Sequence, residues 1–329
     1  MVRILLIILI SGALALGLYF GFKKVGVSNF TELVRNTNFF AIPKKATEPA
    51  LVLKFTGDNI PARSVNFLTT KSGDFTWAYK NIAEELKEAD LTIVNLEAPL
   101  IKNCPLTNEG FTFCGDARNI TGLSFAGIDV VGMANNHAGN YGKDGLSETI
   151  KNLDSVGILS SGVEERQIAY KKIHNTQFAF LAFDAIPYSG AGVLEAKEDL
   201  MKKLILEARS QADFIVVQMH WGTEYTRSPN EYQKRMGRFL IDNGVDLVMG
   251  NHPHWVQDYE IYNGKYIFYA LGNFIFDQEW SEKTKEGVIA KVTIRDKKVL
   301  NVEFIPVEIK NYGQVFKSNK FEIVPKLLN

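Results

Sequence analysis

Four of the five histidines in the chain, His137, His220, His252 and His254, follow short apolar runs, and only His174 does not. Comparable positions carry Asp58 after Gly57, Glu97 in Asn95-Leu96-Glu97, the amides Asn135 and Asn136 before His137, and Asn273 after Gly272. Carboxylates, amide oxygens and imidazoles without thiolates form a mixed N/O donor set. Such a set suits Mn, Fe, Zn or similar divalent ions, in paired sites when one carboxylate bridges. Pro253, between His252 and His254, opposes a helix and favours an extended backbone, in which residues two apart point to the same side. Two imidazoles held side by side near neutral pH suit a divalent metal better than packing. Glu97 ends an apolar run, where an unpaired buried carboxylate is costly, so it must reach solvent or a cation. Singly, each residue also has an ordinary use: Asp58 as a turn residue or N-cap, the Asn pair as turn formers, His220 as a hydrogen-bonded core residue. Their joint placement points to a metal centre.

The elements that must position these groups are buried strands. Near-continuous apolar runs at 51–56, 91–96, 128–134, 177–183, 214–219, 245–249 and 266–271 have the length of strands covered on both faces. Amphipathic segments at 143–156, 194–211 and 231–243 lie between them, and two stop at Gly157 and Gly244. A further helical face is formed by Trp77, Ile82, Ala83 and Leu86 after Asp74. This alternation predicts an α/β core with largely parallel strands, where ligands bind beyond the carboxyl ends. The candidate residues fall at those ends. From Val256 the runs are closely spaced, and 288–295 and 300–307 around Asp296-Lys297-Lys298 predict a hairpin. Trp221, directly after His220, is expected to line a substrate cleft, while Tyr225, Trp255 and Phe274 are candidates for cleft or core.

With 37 Lys+Arg against 37 Asp+Glu, the chain has no net charge and lacks the basic field of a nucleic-acid binder. At 46% hydrophobic it is not disordered either. Residues 4–22 carry no charge and lie between Arg3 and Lys23-Lys24. As a helix they would span about 28 Å, close to a bilayer's hydrocarbon thickness. The expectation is a transmembrane anchor over 1–24, with a cleaved signal peptide left open by Ala13-Leu14-Ala15. A linker over 25–50 and a folded domain over 51–329 follow. The only two cysteines, Cys104 and Cys114, close a short loop rich in Asn, Gly, Pro and Thr. A disulfide is the simplest reading and places the domain outside the reducing cytosol; two free thiols are the alternative. The loop 101–116 would lie beside Glu97.

Six segments together resemble the CapA-type poly-γ-glutamate capsule biosynthesis family: Gly57-Asp58 with Arg63, Asn95 to Leu100, Ala134 to His137, His220-Trp221-Gly222, Gly250 to His254, and Gly272-Asn273-Phe274. That family is similar to the calcineurin-like metallophosphoesterases, which implies a four-layer αββα sandwich with a metal site at one edge. By resemblance Asp58 and His254 would hold a first metal, and Asn136, His220 and His252 a second, with Glu97 in the bridging place. One or two divalent ions are implied. His137 would protonate a leaving group or stabilise developing negative charge, and Arg63 would bind a substrate carboxylate or phosphate. Asn95, Asn135, Trp221 and Asn273 are the further substrate-binding candidates. Two departures stand out: Ile60 occupies a position where phosphoesterases carry a His ligand, and Glu97 replaces an aspartate. The implied protein is membrane-anchored and extracytoplasmic, acting on an anionic cell-surface polymer by metal-dependent hydrolysis or transfer, beside other capsule-synthesis membrane proteins. The alternatives are a non-catalytic polymer-binding or scaffold subunit and a general metallophosphoesterase.

Overall fold

The computed structural model describes residues 49–187 and 190–328. The expected anchor and nearly all of the linker lie outside the described residues, among which no helix is long and apolar enough to cross a membrane. In chain order the elements are β1 (Leu51–Asn59), α1 (Ser64–Ser72), α2 (Ala83–Lys87), β2 (Leu91–Leu96), β3 (Leu100–Ile101), β4 (Gly115–Asp116), α3 (Ile120–Phe125), β5 (Val130–Gly132), α4 (Gly142–Ser155) and β6 (Leu159–Ser161). They continue with β7 (Ile168–Ile173), β8 (Thr176–Asp184), α5 (Glu198–Gln211), β9 (Phe214–His220), α6 (Glu231–Asp242), β10 (Leu247–Asn251), β11 (Tyr259–Tyr262), β12 (Lys265–Phe268), β13 (Asn273–Ile275), β14 (Glu286–Arg295), β15 (Lys298–Lys310) and β16 (Gln314–Lys317).

One sheet has the order β16-β15-β14-β1-β2-β5-β6, with β13 also paired to β1, and a second has the order β11-β12-β10-β9-β8-β7. Side-chain alternation sorts their residues into three apolar layers. Leu53 and Phe55 of β1, Ile93 of β2 and Val130 of β5 meet Phe180, Val216 and Met249 between the sheets. Val94 and Val131 face outward onto α2, α3 and α4 through Leu86, Leu123 and Ile150. Leu181, Ile215 and Val217 face the other way onto α5 and α6 through Leu204 and Leu240. The order is therefore helices, sheet, sheet, helices.

Strict alternation in β1 would aim Asp58 away from the second sheet, because Leu53 and Phe55 already point toward it. A register shift against β2 between Phe55 and Asp58 reverses this. A bulge of this kind re-aims a side chain. Here it turns Asp58 into the space between the sheets. Gly57 makes the bend possible, since a Cβ there would lie 1.9 Å from the Gly272 oxygen.

The predicted hairpin is β14 and β15, turning at Asp296 and Lys297 with φ of 49° and 62°. Paired left-handed residues match the twist of the flanking strands. The expected helical face at 77–86 is instead a single 3-10 turn, Trp77–Tyr79, followed by α2. The segment 194–211 is helical only from Glu198, because Leu194 exchanges backbone hydrogen bonds with Asp184 and Gly162. Cys104 and Cys114 are joined as a disulfide with Cα atoms 5.7 Å apart.

Candidate metal centre

Strands from both sheets end at one buried point. Ligand atoms of Asp58, Glu97 and His220 all lie within 4.8 Å of one another, and all three side chains are buried. Asn95 is wedged between the carboxylates, its Nδ2 donating to Asp58 Oδ1 at 2.9 Å and to Glu97 Oε2 at 3.0 Å. His220 Nε2 lies 2.9 Å from Asn136 Oδ1 and 3.7 Å from Glu97 Oε1. His254 Nδ1 lies 3.1 Å from Asp58 Oδ2 and 2.9 Å from Asn273 Oδ1. The His252 ring sits 4.9 Å from that of His220 and 6.1 Å from that of His254, centroid to centroid. Six residues proposed as ligands from the sequence thus meet in one neighbourhood.

The route to this geometry differs from expectation at one place. His252 and His254 do not lie on an extended strand; their φ angles are 97° and 57°. Proline disfavours the right-handed helical region for the residue before it, and His252 takes the left-handed side. Its backbone N–H then points at Asp58, 3.3 and 3.4 Å from the two carboxylate oxygens. Left-handed backbone at a non-glycine residue costs about 1–3 kcal/mol and persists only where the surroundings over-determine it.

The electrostatics favour a cation. Burial first, then the neighbouring charges of Asp58 and Asp184, push the Glu97 carboxyl well above its ordinary range. Burial likewise holds His220 well below the usual imidazole value, with His252 and His254 adding to it, and brings His252 down to about 3. His220 and His252 therefore stay neutral and cannot balance the carboxylates. Glu97 Oε1, His220 Nδ1, His252 Nδ1 and both amide atoms of Asn251 are buried without a hydrogen-bond partner. Orphaned polar atoms around a cluster of carboxylates are expensive, and a divalent cation satisfies those that are acceptors, such as Glu97 Oε1 and Asn251 Oδ1. The donor set fits Mn, Fe or Zn. Ile60, in contrast, is fully buried against Ala62, Ala98, Phe113 and Phe276, so the place of the missing ligand is apolar.

The five residues expected to bind substrate all have partners within the protein. Asn95 spans the carboxylates, and its Oδ1 accepts from Asn135 Nδ2. Asn135 also donates to the Leu96 oxygen and accepts from the backbone of His137 and Ala138. Asn273 fixes His254, and its Nδ2 donates to the Thr284 oxygen at 2.8 Å. A buried amide has few donor and acceptor sites, and here the protein uses them. Trp221 is fully buried among residues of α6 and donates to the Tyr269 oxygen. One step past His220, alternation turns it to the opposite face. Arg63 is ion-paired with Asp277, its guanidinium 5.1 and 4.8 Å from the ring centres of Phe113 and Phe276.

His137 lies under the disulfide loop. Its ring stacks on Phe113 at 4.0 Å, and its Nδ1 lies 3.1 Å from Asn140 Oδ1, which also accepts from the Phe113 N–H. Burial holds it at about 4, against the hydrogen bond to Asn140. Burial thus favours its neutral form, which can donate or accept a hydrogen bond.

A family model described as bacterial capsule synthesis protein PGA_cap matches residues 52–278. The chain belongs to this family. The membership expected from the six segments is borne out, and relatives agree. The PGA biosynthesis protein CapA of Bacillus subtilis is 31% identical over 81% of this chain and 73% of its own length. The capsule biosynthesis protein CapA of Bacillus anthracis is 29% identical over 84% of this chain and 72% of its own. Among solved structures, a novel phosphatase from Mycoplasma pneumoniae superposes with a TM-score of 0.55 at 15% identity, over 84% of this chain and 99% of that one. That likeness concerns the fold.

One residue at the centre is absent from the sequence candidates. Asp184 ends β8, stands in register with His220 and acts electrostatically on Glu97. Its signal is present in the chain: it follows the run 177–183 as the other candidates follow theirs. Tyr225, a candidate for the cleft, packs 6.0 Å from the His254 ring, with φ 60° and its N–H donating to the Pro253 oxygen at 2.8 Å.

Proposed function

We propose that this protein acts in the synthesis, export or processing of an anionic capsular polymer such as poly-γ-glutamate, by metal-dependent hydrolysis or transfer. The supporting observation is the buried convergence of Asp58, Glu97 and His220 with orphaned acceptor atoms around it. The names of the CapA relatives supply the polymer. Asp58, Glu97, Asn136, His220, His252 and His254 would hold one divalent cation, or two; the apolar packing of Ile60 favours one. A bound cation would supply Lewis acidity toward a substrate oxygen and acidify a water. Asn95 and Asn273 keep the carboxylates and His254 in place. Neutral His137 donates or accepts a hydrogen bond at the edge of the centre, and Tyr225, raised to about 12 by burial and by Glu224, keeps its proton. The uncharged stretch 4–22 anchors the protein in the membrane, with the folded domain on the oxidising side where the disulfide persists.

The test uses the full chain in detergent, stripped by chelator and then reloaded with Mn, Fe or Zn. Chain length of poly-γ-glutamate is followed on gels, beside chromogenic phosphoesters. Cation-dependent change of polymer length is expected. Tight polymer binding without turnover under every metal would sink the catalytic reading and leave a scaffold subunit, while phosphoester turnover alone would favour a phosphoesterase.

A further inference from the structure

A cavity of about 470 Å³ is lined by Trp255, Lys283, Lys326, Glu322, Arg227 and Ile323. Trp255 follows His254 directly, and its ring lies 6.3 Å from that of Tyr225, which packs on His254. The cavity is thus one aromatic layer from the centre.

Its charges are unevenly used. Arg227 is taken up by Asp258 and by the oxygens of Ile323 and Val324. Glu282 pairs with Lys285 at 2.7 Å, and Glu286 faces Lys320 at 3.7 Å. The ammonium groups of Lys283 and Lys326 have no carboxylate partner among the described residues. Lys283 Nζ instead sits 4.4 Å from the Trp255 ring centre, an arrangement that holds the charge in place without neutralising it. Two ammonium groups without a carboxylate partner, one of them held over the Trp255 ring, are the complement of a carboxylate.

We infer that this cavity is a second binding site, independent of the cation, for a carboxylate-bearing segment of the ligand. For the ligand's identity this rests on the proposed function; for the site it rests on Lys283, Lys326 and Trp255. A γ-linked chain carries a free carboxylate on every unit, so one unit at the centre leaves a neighbour to occupy the cavity. Glu322, which also lines the cavity, limits it to one carboxylate of that chain at a time.

The experiment is calorimetric titration of the chelator-stripped full chain with short γ-linked glutamate oligomers, with free glutamate as the small-carboxylate comparison. The oligomer should bind without any cation, and the doubly substituted Lys283→Ala, Lys326→Ala protein should bind about tenfold more weakly at low salt. Both lysines are exposed, so the variant's unfolding temperature and reloaded metal content should match the parent. Unchanged affinity in the double variant, or oligomer binding only in the metal-loaded protein, overturns the inference. Equal affinity for free glutamate and oligomer overturns the assignment to a chain segment. None of these outcomes depends on turnover, so each can fail while the metal-dependent reaction stands.

Discussion

The two sheets contribute opposite chemistry to the centre. The first supplies carboxylates, Asp58 and Glu97, from strand ends tied together by Asn95 and Asn135. The second supplies chiefly imidazoles, His220 at a strand end, and His252 and His254 from left-handed backbone just past one, beside the carboxylate of Asp184 at the end of β8. On the acidic side, burial and the charges of Asp58 and Asp184 raise Glu97; on the imidazole side, burial keeps His220 and His252 neutral. Neither half can bind a cation well alone, and neither is comfortable when the sheets close without one. The site is an inter-sheet contact left electrostatically unfinished, and completing it ties cation binding to the packing of the two sheets.

The largest effect should come from breaking each half in turn. Glu97→Gln and His252→Ala should both lose the cation, at least about 100-fold in affinity if the proposed ligand set holds. They should part in the stripped state. Glu97→Gln removes a buried repelled carboxylate and should raise the melting temperature by about 2–4 °C for each kcal/mol relieved, whereas His252→Ala should not. Metal content and calorimetric melting of the two stripped variants check this, and a lower melting point for Glu97→Gln would contradict the asymmetry.

Acidity separates the halves in a second way. The Glu97 proton must leave before a cation binds, so affinity should rise with pH, as titration of the stripped protein at several pH values would reveal. The imidazoles act on the stability of the stripped protein with the opposite sign to Glu97. His252 and His137, at about 3 and about 4, refuse protons that the unfolded chain accepts near pH 6.5. Their contribution is complete above that value and is lost as pH falls from 6.5 through 4 to 3, with ν larger in the unfolded state across the window. Urea unfolding of the stripped Glu97→Gln protein from pH 7 down to 4, in which the opposing proton uptake of Glu97 is absent, tests the sign.

Next in size are the amides that only orient. Asn95→Ala and Asn273→Ala should each weaken cation binding by about 10–100-fold, the usual cost of losing a group that positions a ligand. Equilibrium dialysis against a competing chelator would measure it. An effect for Asn95 alone would mean that His254 does not ligate. The smallest effect belongs to Trp221→Phe, which removes the hydrogen bond to the Tyr269 oxygen on the far face of the second sheet. A loss of about 1 kcal/mol in stability is expected, with cation affinity unchanged; a change in affinity would place Trp221 in the site after all.

The parts of the fold that could be read directly were those set by local alternation. The apolar runs ending at Leu96, Met219 and Met249 became β2, β9 and β10, and the donors that follow them did converge. The gaps have specific causes. Asp184 was passed over because no motif surrounded it, although its position after Phe183 obeys the same strand-end logic. Asn95, Asn135 and Asn273 were read as facing substrate because a sequence cannot reveal that their hydrogen-bonding capacity is already filled from within. Trp221 was misplaced by one residue of alternation.

Residue order alone determined the α/β alternation, the family and the identity of the donor groups, because periodicity and residue chemistry are properties of short stretches. Only the folded molecule decided which donors face one another. The bulge between Phe55 and Asp58 reverses one side chain, and the left-handed turn at His252 and His254 aims two others. Both conformations are unfavourable locally and are stabilised by contacts between segments roughly 200 residues apart, such as the His252 N–H against Asp58. A preference that exists only once two sheets have packed leaves no local trace in the chain.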